Sequence, residues 1–319
     1  MRAFRVVDFT LQPLLLEIEV PSPAAGEVLL SIEACGLNFA DILMSRGTYQ
    51  DTPEPPFTLG LEVCGRVEQL GEGVSYPPVG ARVVLFGGSG GLAEKGCFPA
   101  DRCIVIPEAM PCEVAAGFLV AYGSSHLALT RRARLQAGET LLVTGAAGGV
   151  GLTAVEVGKQ LGARVIAVAR GQEKLEIARK AGADLLFDAG DDQLIGRVKD
   201  LGGIDVAYDP VGGESFNLAL KTAKREARLL AIGFASGDVP KVPANHLLVK
   251  NVDVIGFYWG GYLKFNPQAL VNSLQELLDW YQLGRLRPHV SNVLTLEEAG
   301  QGLDLLASRV STGKVVIRI

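Results

Sequence analysis

The sequence has little of what disulfide frameworks and nucleic-acid surfaces are built from. Its 319 residues include five cysteines, an odd number, and no two of them form a C-x-x-C pair. This usage fits a reducing compartment, in which cysteines serve as small buried hydrophobes. The formal net charge of -5 provides no basic face for a phosphate backbone. We therefore expect neither a disulfide framework nor a nucleic-acid partner.

Long apolar runs are also missing. No run approaches the roughly 20 residues that span a bilayer, and the N-terminal stretch MRAFRVVDFT lacks the apolar core of a signal peptide. We therefore predict a cytoplasmic protein with no membrane partner. The hydrophobic content of 48% and the charged content of 20% are those of an ordinary globular protein. The length predicts about two domains of ~150 residues each.

Two patterns of organisation divide the chain. The first part contains short apolar segments that end in glycine turns, such as EVLLSIEACG and EVCGRVEQLG, and these are typical of β-strands. From about residue 113, apolar strands alternate with helical patterns, which predicts a parallel, doubly wound α/β sheet. The predicted strands of this sheet are 140–144, 164–169, 184–187, 204–208, 228–232 and 252–257. From about residue 267, two helical patterns and a final strand predict a return to the first domain.

A glycine-rich loop joins the first predicted strand of this sheet to the helix that follows. The loop reads TGAAGGVG over residues 144–151, and in the G-x-G-x-x-G register its first position is Ala146, followed by Gly148 and Gly151. Glycine lets another group touch the backbone, and a helix N-terminus offers free N–H groups and partial positive charge. Between a strand and a helix, this loop predicts a pyrophosphate site. A tight turn without a ligand is the alternative.

The end of the next strand indicates which dinucleotide binds. NAD sites place an acidic residue about 20 residues past the loop to hold the ribose 2′-hydroxyl. This chain has Arg170 there, followed by Lys174 and no carboxylate at the strand end. Two cations favour a 2′-phosphate, and we therefore predict NADPH as the cofactor.

Five segments resemble the zinc-independent quinone oxidoreductases, a branch of the medium-chain dehydrogenase/reductase superfamily that includes the zeta-crystallins. The similarity follows the family order along nearly the whole chain. The segments are CGLNFADILMSRGTYQ (35–50), GLEVCGRVEQLGEGV (60–74), GAAGGVGLTAVEVGKQLGARVIA (145–167), YDPVGG (208–213) and GFASGDVP (233–240).

The resemblance implies an α/β fold with two domains. A GroES-like, β-rich catalytic domain takes residues 1–122 and 265–319, a doubly wound Rossmann domain takes 123–264, and NADPH lies in the cleft. It also implies a homodimer or homotetramer, in which the last Rossmann strand pairs across subunits; an apolar edge strand suits that role.

The resemblance also allows a comparison with the zinc-binding alcohol dehydrogenases of the superfamily. Their three catalytic ligand positions fall on Asn38, Leu61 and about Ala116 in this chain. An amide, an isobutyl group and a methyl group cannot hold Zn²⁺, which requires about four N, S or O donors. Only Cys97 and Cys103 fall where four clustered cysteines would form a structural zinc lobe. We therefore predict no metal at either site.

By the same resemblance, Asn38 and Tyr49 are the candidate catalytic residues that face the nicotinamide and the substrate. Asn38 is expected to donate N–H groups to an oxygen that gains charge, and Tyr49 to donate a hydrogen bond or stack on a ring. A structural role is expected for Asp41. The candidate cofactor-binding residues are Tyr122, Ala147, Gly148, Gly149, Val150, Arg170, Lys174, Gly233, Phe234 and Lys314.

One position departs from the family pattern. The family often has a tyrosine after the third Rossmann strand that reaches the adenosine phosphate, and this chain has Ala189 there. The departure weakens the prediction of a 2′-phosphate.

The leading functional hypothesis is an NADPH-dependent, zinc-independent quinone oxidoreductase acting on a small quinone. Without a metal, the nicotinamide carries the chemistry, and the protein supplies position and electrostatics. An NADPH-dependent enoyl or enone reductase is the second hypothesis. A non-catalytic crystallin-like or RNA-binding protein is the third. The physiological substrate, and one- against two-electron reduction, stay open.

Overall fold

The chain divides into two units in the computed structural model, which describes residues 1–319. Unit 1 comprises Met1–Val120 and Pro288–Ile319, and unit 2 comprises Ala121–Arg287. The first boundary lies two residues from the expected one. The second differs from the expected return at residue 265, because the helix over Pro267–Gln282 belongs to unit 2.

The strands of both units are numbered in chain order. They are β1 (Arg2–Val6), β2 (Leu14–Glu17), β3 (Glu27–Gly36), β4 (Phe57–Thr58), β5 (Glu62–Leu70), β6 (Arg82–Phe86), β7 (Lys95–Pro99), β8 (Ile104–Val105), β9 (Thr140–Thr144), β10 (Arg164–Ala169), β11 (Leu185–Asp188), β12 (Ile204–Asp209), β13 (Ala223–Ala231), β14 (Asp253–Gly256), β15 (Val290–Thr295) and β16 (Lys314–Arg318).

Most of the α-helices lie in unit 2. They are α1 (Phe39–Ser45), α2 (Cys112–Ala116), α3 (Leu119–Leu127), α4 (Gly149–Gln160), α5 (Gln172–Lys180), α6 (Leu194–Asp200), α7 (Glu214–Thr222), α8 (Ala244–Lys250), α9 (Tyr262–Phe265), α10 (Pro267–Gln282) and α11 (Ala299–Ala307). No helix combines the length and the apolar character that crossing a membrane requires.

Unit 1 is the β-rich unit. Six strands of its larger sheet follow the order β15-β16-β3-β5-β6-β8, with β7 also paired to β3, and a smaller sheet has the order β2-β1-β4. The C-terminal strand β16 pairs antiparallel with β3, which brings Arg318 opposite Ala34. The chain returns to unit 1 from Pro288 onward.

The apolar pattern of DRCIVIPE (101–108) also predicts a strand in unit 1, and this strand is almost absent. The segment DRCIVIPE forms only the two-residue strand β8, because a 3₁₀ turn occupies residues 100–102 before it. Pro99 and Pro107 bracket the segment, and proline cannot donate to a strand ladder. The alternating apolar pattern was therefore not sufficient to predict a full strand.

Unit 2 contains the predicted parallel sheet. Its six strands follow the order β11-β10-β9-β12-β13-β14, and every neighbouring pair is parallel. All five residues of the central strand β9, TLLVT, are buried, as expected for a parallel strand covered on both faces. The order reverses between β9 and β12. In such sheets the ligand binds at this switch point, outside the carboxyl ends of the strands.

Helix α10 belongs to unit 2 because its apolar face is buried there. Leu270, Leu274, Leu277 and Leu278 of this helix are each at most 3% exposed. A hydrogen bond of 2.8 Å joins His126 Nδ1, at the end of α3, to Ser273 Oγ on α10. The apolar period of this helix predicts a buried face, but it does not indicate which unit buries it.

His126 is expected to make stability depend on pH. Burial lowers its pKa to about 4, so between about pH 6.5 and pH 4 only the unfolded chain binds the proton. Stability from this group is therefore lost as the pH falls through that window, by roughly 3 kcal/mol. The measurement is the free energy of unfolding of the wild type and of His126→Gln at pH 4.5 and pH 7.

The control for this prediction is His246→Gln, because His246 is exposed on α8. We expect the free energy of unfolding of the control to depend on pH as it does in the wild type. In His126→Gln this dependence should be weaker. An unchanged slope in His126→Gln would show that another group causes the acid lability.

Candidate active site

The carboxyl ends of β9 and β12 are joined by a buried hydrogen bond at the switch point. Thr144, the last residue of β9, donates its hydroxyl to Asp209 Oδ1 at the end of β12. The Asp209 side chain is 1% exposed and also accepts from the amides of Val211 at 3.2 Å and Gly212 at 3.0 Å. Burial raises the pKa of Asp209, although these donors lower it. Asp209 therefore fixes the loop after β12 beside the end of β9.

The glycine loop between β9 and α4 has the tight turn that its sequence predicts. Gly145 has a φ of +55°, in the left-handed region that favours glycine. Gly151 packs so closely on this turn that an added Cβ would lie 2.2 Å from the Gly145 carbonyl oxygen. Gly148, with an extended backbone, is the N-cap of α4. The glycines therefore bring the first turn of α4 directly against the end of β9.

The first turn of α4 is suited to binding an anion. The first amides of a helix have no partner inside it, and the helix N-terminus carries partial positive charge. No acidic side chain stands in the first turn of α4. Gly148, Gly149 and Val150 are half-buried, whereas Ala147 is 2% exposed and packs with Ala169 and Leu175. A helix N-terminus of this kind, free of acidic side chains, is suited to a diphosphate.

The loops after β12 and β13 lie together at the same edge of the sheet. Ala235 donates its backbone amide to the Pro210 oxygen at 3.1 Å, and Ser236 donates to the Val211 oxygen at 2.9 Å. Gly233 is half-buried, and Phe234 is 41% exposed. The structure therefore brings Gly233 and Phe234 to the edge that also carries the glycine loop.

The residues predicted to distinguish the 2′-phosphate of NADPH from the 2′-hydroxyl of NADH follow the end of β10, next to the end of β11. Arg170 is exposed directly after β10, and Lys174 is half-buried in the first turn of α5. Asp188, the last residue of β11, accepts 2.8 Å hydrogen bonds from the amides of Gly190 and Gly171. These bonds lower the pKa of Asp188. The Asp188 carboxylate is therefore engaged by the backbone, whereas Glu173 in the first turn of α5 is exposed.

Tyr122 does not lie at this surface. It is 2% exposed, and its hydroxyl donates to Glu156, a buried residue of α4. Glu156 also accepts from the backbone amide of Arg287 at 2.9 Å. Burial raises the pKa of both Tyr122 and Glu156. This position gives no support to the prediction that Tyr122 contacts the cofactor, because its hydroxyl is engaged inside unit 2.

In unit 1, Asn38 lies beside a buried ion pair. The Lys314 Nζ donates to Glu62 Oε1 at 2.6 Å, to Asn38 Oδ1 at 2.8 Å and to the Leu37 carbonyl oxygen at 2.9 Å. Glu62 is 1% exposed and Lys314 is 7% exposed. The Asn38 Nδ2 donates to Glu62 Oε1 at 3.0 Å and to the Gly36 oxygen at 3.2 Å. We call Asn38, Glu62 and Lys314 the unit 1 cluster.

The sequence predicts the unit 1 cluster only in part. Glu62 follows Leu61, one of the expected zinc-ligand positions, and its role could not be read from the sequence because Lys314 follows 252 positions later. Glu62 Oε2 also accepts from the backbone amide of Val120 at 2.9 Å. Lys314 was expected to contact the cofactor. The structure shows its ammonium inside unit 1 with three acceptors, so that expectation has no geometric support.

Asp41 supports the turn that holds Asn38. Its carboxylate is fully buried and accepts from the backbone amides of Asn38 at 2.8 Å and Gly60 at 3.2 Å. Burial raises the pKa of Asp41 to about 7, against the lowering effect of these amides. This arrangement agrees with the structural role expected for it. Tyr49, in the loop after α1, is half-buried and packs against the core of unit 1.

The residues at the expected zinc-ligand positions do not fit the metal. Leu61 is 2% exposed and Ala116 is 1% exposed, and neither side chain has a donor atom. The Asn38 amide oxygen, the one remaining ligand atom, already binds the Lys314 ammonium. No group of three or more His, Cys, Asp or Glu residues in the chain could hold a metal ion. Zinc chemistry therefore has no ligand set in this chain.

A doubly wound sheet with an anion cradle at its switch point defines a dinucleotide-binding α/β protein. Comparisons with known proteins agree. The family described as zinc-binding dehydrogenase matches residues 149–281, and the alcohol dehydrogenase GroES-like domain matches residues 24–108. Quinone oxidoreductase-like protein 2 of Bos taurus is 39% identical over 313 residues, which cover 97% of this chain and 90% of the relative.

Two solved structures extend the comparison. The quinone oxidoreductase of Thermus thermophilus, also solved in complex with NADPH, superposes with a TM-score of 0.87 at 33% identity, and all of both chains is covered. The Escherichia coli quinone oxidoreductase complexed with NADPH has a TM-score of 0.91 at 27% identity, again over all of both chains. The chain therefore belongs to the medium-chain dehydrogenase/reductase superfamily, in its quinone oxidoreductase branch. The zinc named in one family description has no ligands here.

Proposed function

We propose that the protein is an NADPH-dependent, zinc-independent quinone oxidoreductase. The observation that carries the proposal is the amide cradle at the β9–α4 turn, where a Cβ on Gly151 would lie 2.2 Å from the Gly145 oxygen. When bound, NADPH supplies a hydride. The relatives with NADPH complexes support this cofactor. The backbone of Gly148, Gly149 and Val150 would hold the diphosphate, and that of Gly233 and Phe234 would orient the nicotinamide.

We propose that unit 1 shapes the substrate site and excludes water from it. We propose that Asn38 and Tyr49 face the nicotinamide and the quinone, as the family resemblance implies. A quinone is already electrophilic, so that orientation and exclusion of water suffice for its reduction. No metal is needed to polarise it.

The experiment that tests this proposal is a parallel assay of four acceptors with NADPH and NADH. The acceptors are 1,4-benzoquinone, 9,10-phenanthrenequinone, a simple enone and crotonyl-CoA. We expect the two quinones to give the highest kcat/KM with NADPH. A preference for crotonyl-CoA or for the enone would instead identify a C=C reductase. Failure to bind either reduced nucleotide would refute the proposal and favour a non-catalytic role.

The cofactor preference is expected to depend on Lys174. Arg170 and Lys174 are the cations closest in sequence to the end of β10, and the Asp188 carboxylate at the end of β11 is engaged by backbone amides. We expect the wild type to have a lower KM for NADPH than for NADH. Lys174→Ala should lower the ratio of the KM for NADH to the KM for NADPH about tenfold. This is the equivalent of losing one charge-assisted hydrogen bond. The measurement is the KM for each nucleotide with a saturating quinone.

The matched control is Lys180→Ala, which removes an exposed lysine from the last turn of the same helix. We expect this variant to keep the wild-type ratio. Equal use of NADPH and NADH by the wild type would show that the 2′-phosphate is not recognised.

We also propose that the protein is a homodimer formed through β14. This strand is the edge of the six-stranded sheet and pairs only with β13. Leu248 and Val249 on the preceding helix α8 are 77% and 68% exposed. An unpaired edge strand is a template for pairing with a second chain. Light scattering should give about twice the chain mass of 33.7 kDa. A monomeric mass would contradict this assembly.

A further inference from the structure

The loop after β12 is in direct contact with the glycine turn after β9. An added Cβ on Gly145 would lie 2.9 Å from Val211 Cγ2, so the Val211 side chain covers this turn. An added Cβ on the next residue, Gly212, would lie 3.1 Å from Phe234 Cδ1 in the loop after β13. Consecutive residues of one loop therefore contact the glycine turn and the loop that carries Phe234. All of these residues belong to unit 2.

Backbone hydrogen bonds join the loops after β12 and β13. Ser236 donates its amide to the Val211 oxygen at 2.9 Å, and Gly213 donates its amide to the Asp238 oxygen at 3.0 Å. Because hydrogen bonds weaken steeply with misalignment, bonds in both directions resist sliding of one loop past the other. A displacement of the loop after β12 would therefore also displace Phe234.

The Asp209 side chain connects these two loops to β9. Its Oδ1 accepts from the Thr144 hydroxyl at the end of β9 and from the Val211 amide at 3.2 Å, and its Oδ2 accepts from the Gly212 amide at 3.0 Å. The side chain is 1% exposed, so water does not compete for these bonds. Fully satisfied buried hydrogen bonds are rigid and directional. Asp209 therefore fixes the position of the loop after β12 relative to the turn after β9.

The two halves of a dinucleotide lie on opposite sides of the switch point. In this sheet β10 and β11 lie on one side of β9, and β12 and β13 lie on the other. Arg170 and Lys174, the residues proposed to meet the 2′-phosphate, follow β10. With the adenosine half on that side, the nicotinamide half lies on the side of β12 and β13. The segments that would hold the diphosphate and the nicotinamide are those that Asp209 joins.

Resting on the proposed function, we propose that Asp209 is a positioning residue that sets the nicotinamide half of NADPH relative to its diphosphate, with Thr144 as its partner on β9. Asp209 acts through the loop after β12. Small errors of position are costly in the reaction, because a displacement of about 1 Å can lower a rate about 10²-fold. Loss of the Thr144 hydroxyl should therefore affect the nicotinamide half much more than the diphosphate.

The first test measures binding and requires no activity. Isothermal titration gives the dissociation constants of NADPH and of 2′-phospho-ADP-ribose, a fragment without the nicotinamide, for the wild type and for Thr144→Val. Valine has the shape of threonine without the hydroxyl. We expect the wild type to bind NADPH more tightly than the fragment, and Thr144→Val to reduce this advantage about tenfold, the loss of one hydrogen bond to a charged group. The affinity for the fragment should change by less than about threefold, less than a typical hydrogen bond contributes.

The second test is kinetic. With saturating NADPH, Thr144→Val should lower kcat on 1,4-benzoquinone by about 10–100-fold and leave the KM for the quinone within about threefold. Thr144→Ser, which keeps the hydroxyl, should retain the wild-type values.

The matched control for both tests is Thr222→Val. Thr222 is 2% exposed, lies at the amino end of β13 and donates its hydroxyl to the Leu218 oxygen at 2.8 Å. We expect this variant to lower the urea midpoint of unfolding as Thr144→Val does, because each loses one buried hydrogen bond. Its dissociation constants and its kcat should equal those of the wild type.

The contrary outcomes are distinct. Equal weakening of NADPH and of the fragment by Thr144→Val would show that the Thr144–Asp209 bond supports only the diphosphate turn, and would overturn the proposal. An unchanged ratio of the two dissociation constants would also overturn it, and the proposed function would stand. A wild type that binds neither ligand would refute both. If Thr144→Val does not fold, Asp209→Asn replaces it, because asparagine keeps the shape but sets an NH₂ group against the Gly212 amide.

Discussion

Lys314→Met is expected to destabilise the protein by about 3–5 kcal/mol, the cost of removing one partner of a buried ion pair. Methionine has a similar length, so the change removes charge with little change of volume. It leaves the Glu62 carboxylate, 1% exposed, with the Asn38 and Val120 N–H groups but without its cation. Burying a charge without a counterion is costly. The measurement is the free energy of unfolding from urea titration.

Two matched variants make this prediction specific. Lys95→Met breaks an ion pair with the same 2.6 Å separation, Lys95 to Glu68, in which both side chains are about one-third exposed. We expect it to cost less than about 1 kcal/mol, as exposed pairs do. The double variant Glu62→Gln with Lys314→Met restores neutrality and should recover at least about half of the lost stability. Equal losses of unfolding free energy from Lys314→Met and Lys95→Met would show that burial of the unit 1 cluster does not increase the cost of removing its cation.

The same variants separate two roles for Lys314. If Lys314 only positions Asn38, the double variant keeps the wild-type dissociation constant for NADPH within about threefold. If Lys314 contacts the cofactor, restoring the charge balance cannot restore binding, and affinity falls in both variants. Isothermal titration with NADPH distinguishes the two outcomes.

The central sheet of unit 2 was predictable because its signals are local. Strands β9, β10 and β12 start at their predicted residues, since each is a largely apolar run bounded by turn residues. Strand β13 starts at residue 223 instead of 228. Its first residues, AKREA, are mostly polar, and Glu226 has a φ of +60° where the register with β12 shifts. Such an irregular start has no pattern of period two for the sequence to reveal.

The buried carboxylates were less predictable. Glu62, Glu156 and Asp209 look like ordinary surface residues in the sequence, because acidic side chains are rarely buried without partners. Their side-chain partners Lys314, Tyr122 and Thr144 lie 252, 34 and 65 positions away. The glycine loop was recognised because its geometry depends on neighbouring residues. A cluster that folding assembles from distant segments leaves no comparable pattern.

Gly151→Ala is expected to weaken NADPH binding at least about 100-fold. The added Cβ would lie 2.2 Å from the Gly145 oxygen and 2.9 Å from the Gly145 carbonyl carbon. These are backbone atoms of a tight turn, so the first turn of α4 must move away from the end of β9. The amides proposed to hold the diphosphate would move with it, and hydrogen bonds weaken steeply with misalignment. Overpacking of this kind also costs about 1–3 kcal/mol of stability.

Gly196→Ala is the control for this change, because it makes the same substitution in helix α6 where an added Cβ meets nothing within 4 Å. Replacing glycine by alanine inside a helix should raise stability by up to about 1 kcal/mol, with no effect on NADPH. Isothermal titration and urea unfolding of both variants are the measurements. If Gly151→Ala is destabilised but binds NADPH normally, the diphosphate is not held by the β9–α4 turn. The cofactor would then have to bind elsewhere on unit 2, and the proposed function would lose the observation that carries it.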